Sequence, residues 1–356
     1  MITDPDSRGT RVDTGVGPGT TARVCGGSAM PPSAGWQPLA GPALLDRLRV
    51  TGRPRPSVDA ALVGNLRGYL DRGLDDVAAT VGGPATVVTG HRLTAALACG
   101  IHRPDDGVGC PPISAPLACG ALVGVLFRQW VTTGSFDDPF DDALEGLSID
   151  GHQAPVVAWI EGLSAARRSE LRAEVGRQAD GIRQRWPALD PAWLPRTREP
   201  IRVELAHGRV ELAVRIDLVL GRPAVLDASV ALVEVTSALL RPGHRDDARL
   251  GALAETLRSG APPFAVATYS TRTGELDVEA VTPELLVGAA NRLVAGVRAM
   301  IPGGERSAAG AAPWCAGCAA ELFRPAASTV TSVSPVRAAR PAAPDVLVDV
   351  PEELAA

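Results

Sequence analysis

The stretch IRVELAHGRVELAVRIDLVL, residues 201–220, decides how this chain folds. Ile201, Val203 and Leu205 alternate with Arg202 and Glu204, and Val210, Leu212, Val214 and Ile216 alternate on the far side of His207-Gly208. A period of two marks a strand with one buried face, and a reversal at a His-Gly pair joins two such strands into an antiparallel hairpin. Asp217 follows the second run at once. The segment PAVLDASVALVEV, residues 223–235, supplies a third strand ending at Glu234, and FAVATY and LDVEAV supply two more, joined by a turn over Thr271 to Gly274. A helix is expected over about 244–258, and Thr282-Pro283 caps another that runs to about 300. The order is helix, three strands, helix, two strands, helix. That is an α/β unit with a mixed central sheet flanked by helices.

Outward from this unit the pattern becomes helical. Val58, Leu62, Leu66, Tyr69 and Leu70 share one face of a helix that starts after Ser57 and can end at Gly73. A longer helix is expected over roughly 158–186, with Leu171, Val175, Ile182 and Trp186 as its apolar stripe and Pro187 as its stop. Its arginines at 167, 168, 172, 177, 183 and 185 could meet phosphates, but Glu161, Glu170 and Glu174 among them favour a solvated face. Trp130, Trp159, Trp186 and Trp193 read as core rather than as base-stacking groups. Residues 1–40 are rich in Gly, Pro, Ser and Thr without periodicity, and so is the tail at 326–356; both are expected to be disordered. Residues 41–84 then form a helical N-terminal segment, and 85–325 the main domain.

The bulk numbers bound the function without choosing it. The chain has 356 residues, 46% of them hydrophobic and 21% charged, with a formal net charge of -5. A global basic surface is excluded, so any nucleic-acid contact must come from a local patch. All 35 basic residues are arginine. No run of roughly 18 purely apolar residues marks a membrane span, and the first residues lack the order of a signal peptide. A cytoplasmic location is expected, with the six cysteines as thiols or metal ligands rather than disulfides.

The chemistry concentrates on two acids. Glu234 lies in the apolar run LVEVTS, residues 232–237, where an uncompensated charge is costly. Asp217 ends the preceding strand, 17 positions earlier (234 minus 217). Adjacent strands lie about 4.8 Å apart, so two such carboxylates can share one hard cation such as Mg²⁺ or Mn²⁺. Surface or capping carboxylates are the alternative reading of the same spacing. Asp246 or Asp247 in the loop RPGHRDD would favour the following helix N-terminus.

The run RIDLVLG, then ALVEVTSALLRPGHRDDARLGALAETLRSGAPPFAVATY, resembles the core of the PD-(D/E)XK nuclease superfamily in its RecB-like exonuclease branch. VVTGHRLTAALACGIHRP, LACGALVGVLFRQW and PWCAGCAA extend the resemblance over about residues 85–323. It implies a restriction-endonuclease-like core, with Asp217 and Glu234 as metal ligands, the Val235 carbonyl completing the shell, and DNA as the ligand. Several positions depart from that pattern. Thr236 stands where the family has its catalytic lysine, Gly124 where a helix carries histidine, and Arg249 and Leu253 where glutamine and tyrosine are expected. Thr236 can hold a water but supplies no charge; Arg241, Arg245 or His244 from the following loop are candidates to replace it.

Cys315-x-x-Cys318 has metal-ligand spacing. In RecB-like proteins with an iron–sulfur cluster, one cysteine precedes the core and three follow it. The resemblance therefore implies that Cys99, Cys315 and Cys318 hold a 4Fe–4S cluster or zinc, with Cys110 as a substitute for the missing fourth ligand. Cys119 reads as core, and Cys25 lies in the N-terminal arm. His91 and His102 flank Cys99 and read as turn or surface residues. The expected function is metal-dependent DNA phosphodiester hydrolysis. The alternative is an inactive nuclease-fold module that binds DNA or assembles with a helicase or another DNA-processing partner. An unrelated α/β protein with structural zinc is a third reading.

Overall fold

The computed structural model describes residues 59–80, 85–98, 113–186, 189, 191–221 and 230–301. Within them the elements run α1 (Ala60–Thr80), β1 (Thr86–Val88), α2 (Gly90–Ala98), α3 (Ala115–Thr133), α4 (Pro139–Ile149), α5 (Ala154–Glu161), α6 (Ala165–Arg185), β2 (Arg196–Leu205), β3 (Val210–Leu220), β4 (Ala231–Thr236), α7 (Pro242–Ser259), β5 (Ala265–Ser270), β6 (Leu276–Ala280) and α8 (Pro283–Met300). The six strands form one mixed sheet: β2–β3, β3–β4 and β5–β6 are antiparallel, while β1–β3 and β4–β5 are parallel. An α/β fold with a mixed sheet flanked by helices is thus what the chain adopts.

The expected hairpin is β2–β3, with Ile201 opposite Val214 and Leu205 opposite Val210. The His207-Gly208 pair sits at the centre of the four-residue turn 206–209, as expected. The Gly208 N–H donates to the Leu205 carbonyl, and Ala206 and His207 both take left-handed φ values, 49° and 55°. That pair of angles matches the right-handed twist of the strands. Helix α1 is tied to this turn: Asp71 accepts the Ala206 N–H at 2.9 Å, and Arg67 donates to the Glu204 carbonyl at 3.1 Å.

Each face of the sheet carries its own helical layer. On one side Leu66, Leu70 and Leu74 of α1, Leu93 of α2, Leu250 and Leu253 of α7 and Leu293 of α8 close over Ile201, Val203, Leu212, Ile216 and Leu232. On the other, α3 to α6 close over Leu218, Leu220, Val233 and Tyr269. Trp186, Phe127 and Tyr269 form the centre of this second core, with ring centroids 4.9 to 5.9 Å apart. The Trp130 indole donates to the Trp186 carbonyl. The tryptophans of this layer are therefore packing groups.

Three expectations need correction. The long helix over 158–186 is two helices, because Ser164 starts α6 by accepting the Arg167 N–H and Gly162 ends α5. The helix after Ser57 passes through Gly73 to Thr80. Gly73 is a close-packing point rather than a stop, since a Cβ there would lie 3.0 Å from Val294 Cγ2. Finally, α3 is long and apolar enough to cross a membrane by length and composition. Here it serves as a core helix, burying Ala118, Cys119, Leu122, Val123, Leu126, Phe127 and Val131. The arginines of α6 meet protein groups: Arg172 pairs with Asp138 and Asp141, Arg177 with Glu174, and Arg183 with Asp180.

Candidate functional site

Strand β3 is shared unequally. One edge pairs with β2 along nearly its whole length. The other edge pairs with β1 at Val210–Leu212 and with β4 at Leu218–Leu220. Residues 213–217 therefore have no strand beside them on that edge. β1 runs parallel to β3 and β4 antiparallel, so their C-terminal ends approach this gap from opposite sides. Each is followed by a helix, α2 or α7, that begins near the gap. A place where strand ends separate and helices start is where α/β sheets open crevices for ligands.

A cavity of about 370 Å³ opens there, lined among others by Gly90, His91, Arg202, Arg215, Glu234 and Asp247. Glu234 points to the α7 layer, as Leu232 does two residues earlier. Gly251 on α7 packs beside it: a Cβ there would lie 2.6 Å from Ile216 Cδ1, and 3.8 Å, an ordinary contact, from Glu234 Oε1. Asp247 sits one turn before Gly251 on the same helix. It approaches the start of α2 so closely that a Cβ on Gly90 would lie 2.8 Å from its Oδ1, and it accepts a hydrogen bond from Thr94 at 3.3 Å.

Leu218 opposite Val233 is the last paired rung of β3 and β4, and Asp217 and Glu234 are the next residue of each strand. Beyond that rung β4 leaves β3, and the Asp217 carboxylate takes the place of a ladder acceptor: Oδ2 accepts the Val235 N–H at 2.8 Å. The N–H and C=O of one residue in a strand point to the same edge, so the Val235 carbonyl faces this opening too. The charges of the two carboxyl groups act on one another. Two close acids resist ionising together unless a cation lies between them. Burial raises the pKa of Asp217, opposed by the Val235 N–H and the Arg128 charge. Burial, then the charges of Asp217 and Asp247, push Glu234 well above the usual carboxylate range. Asp247 is raised as well, chiefly by burial.

Thr236 does not supply the missing charge. Its hydroxyl accepts the Ala238 N–H at 3.2 Å, and its carbonyl accepts the Thr271 N–H at 2.9 Å, so it shapes the turn after β4. The loop residues expected to replace the lysine point elsewhere. Arg245 pairs with Asp277 and Glu279, Arg249 binds Glu279 through two nitrogens at 2.7 Å each, and His244 accepts the Arg241 N–H to cap α7. The cations that do attend Asp217 come from places sequence reasoning missed. Arg128 on α3 is half-buried, and burial, then the Arg198 charge, lower its pKa, while Asp217 and Asp150 oppose this. Arg198 stands across β2 from Asp217 at a break in the pairing, with φ 55° and an ion pair to Asp150 at 2.5 Å. The departure from strand alternation at Arg198 was the only signal for it.

Among the described residues no group of three or more His, Cys, Asp or Glu side chains gathers closely enough to hold a metal ion. Asp217, Glu234 and the Val235 carbonyl nevertheless fit Mg²⁺ or Mn²⁺, which use one or two carboxylates and take remaining oxygens from water and phosphate. Cys99, Cys315 and Cys318, with Cys25, Cys110 and His102, lie outside the described residues. Cys119 is a buried core thiol whose pKa burial pushes up to about 11, and His91 is exposed. No protein-family model matches the chain, and no curated protein matches it.

Proposed function

We propose that this protein binds DNA at the opening between β3 and β4 and uses Asp217 and Glu234 to hold a divalent cation that contacts a phosphodiester. The observation that carries this reading is the Asp217 carboxylate held on the Val235 N–H, next to Glu234, where β4 leaves β3. A hard cation bound there would polarise a phosphoryl oxygen and lower the pKa of a coordinated water. Asp217 and Glu234 would supply its charge-neutralising oxygens, and the Val235 N–H would fix the Asp217 carboxylate in place. Glu234, with its raised proton affinity, would take up a proton when the cation leaves. A restriction-endonuclease-like core of the RecB-like kind agrees with the order of the strands and acids. A 4Fe–4S cluster or zinc on Cys99, Cys315 and Cys318 would add a second, structural centre.

The test is direct. Linear single- and double-stranded DNA is incubated with the protein and Mg²⁺ or Mn²⁺, in parallel with Asp217→Ala and Glu234→Ala. Cleavage lost in both variants supports hydrolysis. Cleavage unchanged by both rejects these acids as its ligands.

A second reading is favoured by Thr236, whose hydroxyl is engaged in the turn. A nuclease fold without a charged group on β4 would bind DNA beside a helicase or other processing partner without cutting it. Retention of DNA with a divalent ion but without cleavage identifies this case.

A further inference from the structure

Resting on the divalent-cation reading of the Asp217–Glu234 pair, we infer that Arg215 of β3 is the residue that holds the ligand's phosphate at this opening. Arg215 lines the same cavity as Glu234 and Asp247. It lies on the stretch of β3 that has no strand beside it on one edge. Asp217 follows two residues later, about 7 Å along the strand. Ile201, Val214 and Ile216 pack towards α7, so Arg202, Ala213 and Arg215, which alternate with them, belong to the other face of the hairpin. Residues of both faces line the cavity, which therefore extends across the plane of the sheet. Arg202 and Arg215 are exposed, whereas Glu234 and Asp247 are half-buried. A ligand entering from solvent meets the arginines first and the acids behind them.

Cross-strand neighbours decide which arginine is available. Arg202 lies opposite Ala213, and Glu211, its diagonal neighbour, holds it in an ion pair. Arg215 lies opposite Pro200, which offers no charge. It makes no hydrogen bond or ion pair with another described residue. Asp217, on the same strand, is turned to the Val235 N–H instead. Glu234 and Asp247 likewise make no ion pair among the described residues. One opening thus holds a guanidinium and carboxylates that do not neutralise each other. A phosphodiester with its cation answers both, placing one oxygen on the cation held by the acids and another on the guanidinium. The planar donor set of arginine suits that oxygen geometry. The volume of about 370 Å³ is at the small end of ligand pockets, roughly 300–1,000 Å³, and so fits one phosphate group with its cation.

The experiment uses the full chain and fluorescein-labelled single- and double-stranded oligonucleotides, read by anisotropy across a salt series with Ca²⁺ or with EDTA. Wild type is compared with Arg215→Gln, Arg215→Lys and Arg202→Gln. Mn²⁺ binding is measured separately by calorimetry, and melting curves report folding. With Ca²⁺, Arg215→Gln is expected to weaken binding about three- to tenfold and to flatten the salt slope by roughly one phosphate contact. The loss should shrink with EDTA, because no cation then fixes the phosphate beside the arginine. Mn²⁺ affinity without DNA should stay unchanged. Arg215→Lys should recover the slope and part of the affinity, and Arg202→Gln should lose less than Arg215→Gln. Unchanged affinity and slope in Arg215→Gln overturn the inference while leaving the cation reading intact. Equal losses with Ca²⁺ and with EDTA, or in both glutamine variants, show diffuse attraction and overturn it as well. A fall in melting temperature in Arg215→Gln assigns the residue a packing role and also overturns it. If wild type binds Mn²⁺ but neither oligonucleotide, the phosphate role is rejected; if it binds no Mn²⁺, the cation reading fails and the inference with it.

Discussion

The two ends of the β2–β3 hairpin are made of similar material and do different things. Near the turn, Ile201–Leu205 and Val210–Val214 pair rung by rung, with side chains alternating into the core. At the far end Arg198 drops out of the ladder with a left-handed φ, opposite Asp217. The apolar residues also change layers there: Ile216 packs with α7, whereas Leu218 packs with α3 to α6. Regular alternation builds a wall; its interruption turns a side chain into the sheet plane, where Asp217 accepts a backbone N–H instead of facing either core. The difference teaches where to look for chemistry. A strand with uniform rungs has no room for a ligand, while a strand that exchanges one neighbour for another leaves an opening.

The largest effects belong to the irregular end. Asp217→Ala or Glu234→Ala should weaken Mn²⁺ binding by more than about 100-fold, since each removes a direct ligand where even outer partners are worth about 10–100-fold. Calorimetry of each variant checks this, and unchanged affinity would show that the pair is not the cation site. Gly251→Val comes next. Its Cβ would lie 2.6 Å from Ile216 Cδ1, so overpacking should cost about 1–3 kcal/mol in denaturant unfolding. A similar change at Gly64, with nothing within 4 Å of its Cβ, should lack this clash.

Glu234→Gln sharpens the comparison through pH. The folded pKa of Glu234 is raised above its unfolded value. Its protonated form is favoured in the fold, so stability present at low pH is lost as pH rises through that folded pKa. Replacing it with the amide should leave stability near pH 4 little changed and raise it at pH 8 by about 1 kcal/mol, or roughly 2–4 °C in Tm. Mn²⁺ should stabilise wild type at pH 8 and not the variant. Thermal melts at both pH values test this, and a variant less stable at pH 8 than wild type would refute it. The smallest effect lies at the regular end. His207→Gly places a residue suited to positive φ at the exposed position of the turn and should stabilise the hairpin by about 0.5–1 kcal/mol. Cation binding should be untouched by that change.

Much of the framework was legible because it is written locally. Alternation in residues 201–216 requires a hairpin wherever it is buried, and Thr282-Pro283 starts α8 as expected, with the Thr282 hydroxyl accepting the Leu285 N–H. The three residues of β1 were not legible, as three residues carry no period. Yet their pairing with Val210–Leu212 places α2 against Asp247 and sets one wall of the cavity. Asp247 was legible only as an acid near a helix start. Its close approach to α2 depends on glycine at 90, whose meaning appears only when the neighbours are known.

What the sequence alone determined is the alternation, the order of elements and the placing of Asp217 and Glu234 on neighbouring strands; that β3 runs on past Asp217 to Leu220 is a correction from the structure. Burial periodicity and turn chemistry act over a few residues, and they specify those features without reference to the rest of the chain. What only the tertiary structure decided is that β4 leaves β3 at that point, that Arg245 and Arg249 are held by Asp277 and Glu279, and that the charge of Arg128, 89 positions before Asp217 (217 minus 128), acts on that acid. Charge acts through space and its cost depends on burial, so which arginine attends a buried acid is settled by packing of the layers and not by distance along the chain.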